Sequence, residues 1–173
     1  MDADPTPWAA LHVGVSALEP ERRAAFALAC AEHLVRLNSD KPELLGSIAD
    51  GWAVLAGQAR DLTTDLAELD ARGDADDDEV ACVRHALNAV AHPDADQSPL
   101  WASDRAIAAA YEQVPYAENA SIFRSLSDDA KSSIVQGELR WQAKTLATFE
   151  ETTSLSEACR TLRSRLSESD RMT

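Results

Sequence analysis

The sequence predicts an all-α protein, an irregular antiparallel bundle of about six to eight helices, and three observations carry that expectation. Apolar residues recur at steps of three and four in one segment after another, as in Val80, Val83, Leu87 and Val90, which is the spacing of one helix face. No run alternates apolar and polar residues for long enough to mark a strand. Only six glycines interrupt 173 residues, and the absence of a fixed-period repeat counts against a solenoid.

Taken in order, residues 1–15 form a lead-in with Pro5, Pro7 and Gly14, holding at most a short turn around Trp8 to His12. Residues 16–173 are expected to fold as a single helical domain. Ser16 and Glu19 have the spacing of a capping box, Pro20 suits a first turn, and Phe26, Cys30, Leu34 and Leu37 make the stripe of a helix ending near Asn38. Ser39 or Asp40 can cap a second helix from about Lys41, with Leu45, Ile48, Trp52 and Leu55 inward and Gly57 at its close. Leu62, Leu66 and Leu69 repeat the pattern, with Asp61, Asp65 and Glu68 on the opposite side.

Gly73 then breaks the helix, and Asp74, Asp76, Asp77, Asp78 and Glu79 lead into the helix of Val80 to Val90. Ser98 and Pro99 open the next helix, which carries Leu100, Ile107, Tyr111 and Val114 and stops at Pro115. A connection over 116–126 holds Ile122, Phe123 and Leu126. Ser127 is placed to cap a long helix bearing Val135, Leu139, Leu146 and Phe149, and a last one runs from about Ser156 to Ser167.

Composition limits the function. The formal charge of −14 disfavours nucleic acid and anionic membranes, both of which require a basic surface. No segment approaches the roughly 18 apolar residues of a membrane span. The acidic start MDADPTPW lacks the basic region of a signal peptide, which points to a cytoplasmic protein. Cys30, Cys82 and Cys159 are odd in number and lie within helical patterns, as expected of free thiols rather than a disulfide framework. Trp8, Trp52, Trp101 and Trp141 are expected to serve core or groove packing.

Candidate chemistry is sparse. Cys30-Ala-Glu-His33 and Cys82-Val-Arg-His85 are two C-x-x-H pairs that could in principle complete a Cys2His2 zinc tetrahedron, but the short coincidences lack the tight ligand spacing of a zinc motif. Asp74, Asp76 and Asp78 match the first three ligands of an EF-hand loop. Glu79 then stands where that loop requires glycine, and His85 where it requires a bidentate carboxylate. Phosphate-binding glycine loops and the G-x-S-x-G nucleophile turn are missing, so no catalytic residue, metal ligand or cofactor is expected.

The segments PERRAAFALACAEHL, LLGSIADGWAVLAG, EVACVRHALNAV and GELRWQAKTLATFE, followed by a tail rich in Arg and Leu, resemble in that order a bacterial YjaG-like family of unknown function over roughly residues 18–168. The resemblance implies an all-helical domain and no catalytic residues. The acidic run 74–79 falls outside it.

That run holds more carboxylates than capping requires. Residues 61–79 contain nine acids against the single base Arg72, a local charge of −8. The leading expectation is therefore a noncatalytic interaction protein, an immunity- or antitoxin-like inhibitor, that binds a basic protein partner through Asp61, Asp65, Glu68, Asp74, Asp76, Asp77, Asp78 and Glu79. The alternatives are a self-associating housekeeping or regulatory helical domain forming a homo-oligomer, and a metal protein or enzyme using the C-x-x-H pairs.

Overall fold

A computed structural model describes residues 8–37, 40–94, 97–114 and 132–169. These residues form eight helices and no strand: α1 (Ala9–Ala17), α2 (Pro20–Leu37), α3 (Leu44–Leu55), α4 (Thr63–Asp70), α5 (Asp78–Ala91), α6 (Ser98–Glu112), α7 (Ser133–Glu151) and α8 (Leu155–Ser169). The chain is an all-α bundle.

Helix α2 is its axis. Every residue from Ala24 to Glu32 is buried, so the helix is enclosed on all sides, by α1, α3, α5, α6, α7 and α8. Five of those residues are alanines, whose small side chains let neighbouring backbones approach. The sequence spacing predicts a single stripe here; Phe26, Cys30 and Leu34 are buried as expected, whereas Leu37 is 56% exposed at the helix end. Helix α5 lies alongside, burying Val80, Val83, Leu87 and Val90 against α2 and α6.

Helix α3 meets α2 and α5 at Gly51, where a Cβ would stand 2.8 Å from Leu28 Cδ2 and 2.9 Å from Leu87 Cδ2. It ends at Gly57, whose φ of +81° favours glycine. The Gly57 N–H donates to Val54 O and the Gln58 N–H to Ala53 O, a Schellman closure that satisfies two otherwise orphaned carbonyls.

Three local expectations are corrected. A full helix, α1, occupies the lead-in and buries Leu11 and Val15, with His12 Nε2 2.8 Å from Asp104 Oδ1 on α6. Ser16 consequently lies inside α1 and no capping box forms with Glu19. Ser98 is the first residue of α6 and accepts a hydrogen bond from Asn88 Nδ2 at 2.6 Å instead of capping the helix. Ser127 and the 116–126 connection lie outside the described residues; the helix that Ser127 was expected to cap begins at Ser133, after Ser132 Oγ accepts from the Ile134 N–H at 3.3 Å.

Arg22 ties the start of α2 to the junction of α7 and α8. From the first turn of α2 its guanidinium donates to the carbonyls of Phe149, Thr152 (2.8 Å) and Thr153 (2.9 Å), closing the C-terminus of α7 where the helix dipole favours a cation.

Candidate functional site

The acidic residues arise from two adjoining elements. Asp61 Oδ1 accepts the Thr63 N–H at 2.9 Å and turns the chain into α4, and the Thr63 side chain together with this bond holds the Asp61 carboxyl below its ordinary range. Leu62 and Leu69 bury one side of α4 against α5, leaving Asp65 half-buried and Glu68 exposed on the other. After α4 the chain turns at Arg72 and Gly73. Asp78 and Glu79 then occupy the first turn of α5, beside the positive end of its dipole.

Folding brings cations to this run from distant parts of the chain. Lys41 Nζ stands 2.7 Å from Asp77 Oδ2, 3.4 Å from Asp74 Oδ2 and 3.7 Å from Glu79 Oε2, and its side chain is only 16% exposed. Partial desolvation opposes its charge, but hydrogen bonds to Asp77 and Asp74 and the charge of Glu79 hold the ammonium above its ordinary range. Arg72 Nε and Nη2 donate to the two carboxylate oxygens of Asp74 at 2.7 and 2.9 Å, a bidentate pair. Those bonds, with Lys41, hold the Asp74 carboxyl well below the usual carboxylate range. Arg105 on α6 reaches Asp78 Oδ1 at 3.0 Å, and Arg84 reaches Asp70 at 3.2 Å.

The eight acids singled out by sequence thus divide into two groups. Asp74, Asp77, Asp78 and Glu79 are committed to Lys41, Arg72 and Arg105, which offsets the repulsion of so dense a run. Asp61, Asp65, Glu68 and Asp76 carry no side-chain ion pair among the described residues. Asp61, Asp65 and Glu68 follow one another at steps of four and three, so they share one side of α4 and its lead-in. This side, with Asp76 in the following turn, is the strip of carboxylate surface left without internal counter-charge.

The C-x-x-H residues have other partners. Cys30 and Cys82 are fully buried, and burial pushes both thiols well above their ordinary range, helped by Cys82 and Glu138 at Cys30 and by the charges of Glu138 and Asp78 at Cys82. Cys82 Sγ lies 3.2 Å from Ala102 O. His33 stacks flat on Trp141 with centroids 3.8 Å apart, and its Nε2 is 3.4 Å from Glu138 Oε2. His85 instead leans on Trp101, with centroids 5.2 Å apart, and burial and the charges of Arg84 and Arg105 push its pKa down to about 4. The three EF-hand-like aspartates diverge too: Asp74 and Asp78 turn to different arginines. Among the described residues no three His, Cys, Asp or Glu side chains gather where they could hold a metal ion.

Sequence reasoning missed a buried polar seam between α6 and α7. Gln142 is completely buried; its Oε1 accepts from Ser103 Oγ at 2.6 Å and its Nε2 donates to Glu138 at 2.7 Å. Glu138 is itself 7% exposed and also faces His33 of α2 at 3.4 Å, so the hydrogen-bonded chain that joins α6 and α7 ends beside α2. Glu138 and Gln142 are four apart, an i,i+4 pair visible in the sequence, but nothing there indicates that this side of α7 faces inward. Of the tryptophans, Trp52 is buried, Trp8 and Trp141 pack partly against the core, and Trp101 is 49% exposed. No described helix is long and apolar enough to cross a membrane. No family model, no curated protein and no solved structure matches the chain.

Proposed function

We propose that the protein is a noncatalytic helical binding protein that engages a basic protein partner through the acidic side of α4, in the manner of an immunity- or antitoxin-like inhibitor. The observation that supports this reading is the division of the acids. Carboxylates paired at short range with Lys41, Arg72 and Arg105 have little left to offer a partner, whereas Asp61, Asp65, Glu68 and Asp76 bear charge without internal counter-ions. A strip of this kind accelerates encounter with a cationic surface, and its contribution weakens as salt rises. The neighbouring paired acids act as its frame, fixing the α4 to α5 turn.

The test compares Asp61→Asn/Asp65→Asn/Glu68→Gln with a charge-matched control, Glu150→Gln/Glu157→Gln/Glu168→Gln, in binding to a cationic globular probe such as cytochrome c between 20 and about 200 mM salt. The α4 variant should bind at least several-fold more weakly than the control and show a flatter salt dependence. Equal weakening of the two would assign the attraction to net charge alone and remove the proposed site.

A further inference from the structure

The C-terminal end of α3 and the N-terminal part of α8 enclose a groove of about 530 Å³ that shares no residue with the acidic strip. It is lined by the apolar Trp52, Leu55 and Leu155, by the cationic Arg160 and Arg163, and by the Cys159 thiol. The Trp52 indole N–H is committed inward to Glu32, so the ring offers carbon to the groove. The size is that of pockets for small organic ligands, which run about 300 to 1,000 Å³ and combine apolar walls with a few convergent polar groups.

Among the described cations the two arginines share with Arg140 and Lys144 the lack of a carboxylate within 4.0 Å. In a chain with 30 acids and 16 Lys and Arg residues, Arg22, Arg36, Lys41, Arg60, Arg72, Arg84 and Arg105 each stand within 4.0 Å of a carboxylate. Arg160 and Arg163 have no such partner among the described residues, although acids are plentiful. They are three apart on α8 and so rise on the same side of the helix. Ser154 and Ser156, at the start of α8, complete that rim with hydroxyls 3.0 Å from each other. The positive charge and hydroxyl donors of this lining favour an anion, and Trp52, Leu55 and Leu155 in the same lining favour hydrocarbon.

We propose that this groove binds a small amphiphilic monocarboxylate, with its hydrocarbon body against Trp52, Leu55 and Leu155 and its carboxylate held by Arg160 and Arg163. Guanidinium groups suit this head group because they present paired N–H donors to a carboxylate. The site stands independently of the α4 strip and recognises the opposite charge, so failure of one leaves the other intact.

Cys159 supplies the readout. It is half-buried in the groove wall while Cys30 and Cys82 are fully buried, so in the native protein a neutral alkylating agent such as iodoacetamide reaches Cys159 first. Decanoate, decanol, decyltrimethylammonium and sodium sulfate are compared below micellar concentrations, with the rate of Cys159 modification followed by mass spectrometry and expressed relative to each variant's own ligand-free rate. Decanoate should protect saturably, decanol and sulfate at least tenfold more weakly, and the cationic amphiphile not at all. Arg160→Gln/Arg163→Gln should fold normally and lose decanoate protection by tenfold or more in concentration. No protection by decanoate overturns the proposal, as does equal protection by decanol or by sulfate, or undiminished protection in the arginine variant. Protection by an acidic apolar peptide but not by decanoate would make the occupant a peptide and overturn it likewise.

Discussion

Trp52 and Glu32 meet inside the bundle, where the indole N–H of α3 donates to Glu32 Oε2 on α2 at 2.7 Å. The other oxygen, Oε1, accepts from Arg36 Nε at 2.9 Å and Nη2 at 2.7 Å. The carboxylate is only 6% exposed, and each of its oxygens has a donor. Trp52→Phe keeps most of the packing but orphans Oε2, and an unsatisfied buried acceptor costs about 1 to 3 kcal/mol. The urea midpoint should fall accordingly with an unchanged slope, and an unaltered midpoint would show that the bond contributes nothing.

Two glycines inside helices should respond oppositely to alanine. At Gly137 in α7 a Cβ would meet nothing within 4 Å, so Gly137→Ala should stabilise by about 0.5 to 1 kcal/mol through the unfolded chain and helix propensity. At Gly51 the added methyl would press on Leu28 and Leu87, both fully buried, and overpacking of this kind typically costs about 1 to 3 kcal/mol. Thermal melts of the two variants should move in opposite directions; a shared upward shift would mean that the Gly51 contact relaxes freely.

Stability should depend on His85 in mildly acidic solution. Burial first, then the charges of Arg84 and Arg105, hold its pKa near 4, with Asp70 opposing. In the unfolded chain histidine titrates near 6.5. Between those values the unfolded state takes up a proton that the folded state refuses, so the stabilising contribution is complete above about pH 6.5 and disappears as pH falls toward 4. His85→Gln should therefore gain on the natural protein, in urea midpoint, as pH drops from 7 to 4.5. A difference that stays constant over that range would contradict the half-buried neutral imidazole.

Lys41→Met should lower the melting temperature in 20 mM salt, because it leaves Asp74, Asp77 and Glu79 facing one another without their common cation. In 1 M salt, where the screening length is about 3 Å, the deficit should shrink. An equal deficit at both salt concentrations would assign Lys41 a packing role instead.

How far the sequence revealed this molecule depended on the range of the interactions involved. Helix class and most inward faces follow from local spacing, and the buried Val80, Val83, Leu87 and Val90 show it. Helix α1 escaped because a segment with Gly14 and only Leu11 and Val15 buried has little periodic signal. The acidic run was plain in composition, but its internal neutralisation was not. Lys41 lies 36 positions from Asp77 and Arg105 lies 27 from Asp78, and no local rule joins them. The groove between α3 and α8 was invisible for the same reason, since it exists only where two segments about a hundred positions apart come together.

The most direct test of the proposed binding surface is an ¹⁵N-resolved titration with cytochrome c at 20 mM salt, following backbone amides across the acidic region. Amides of residues 61–68 and 76 should shift first and along one saturating curve, while those of residues 74 and 77–79, whose side chains are held by Lys41, Arg72 and Arg105, should move little. Shifts centred on residues 77–79, or spread evenly over every acidic residue of the chain, would contradict the account.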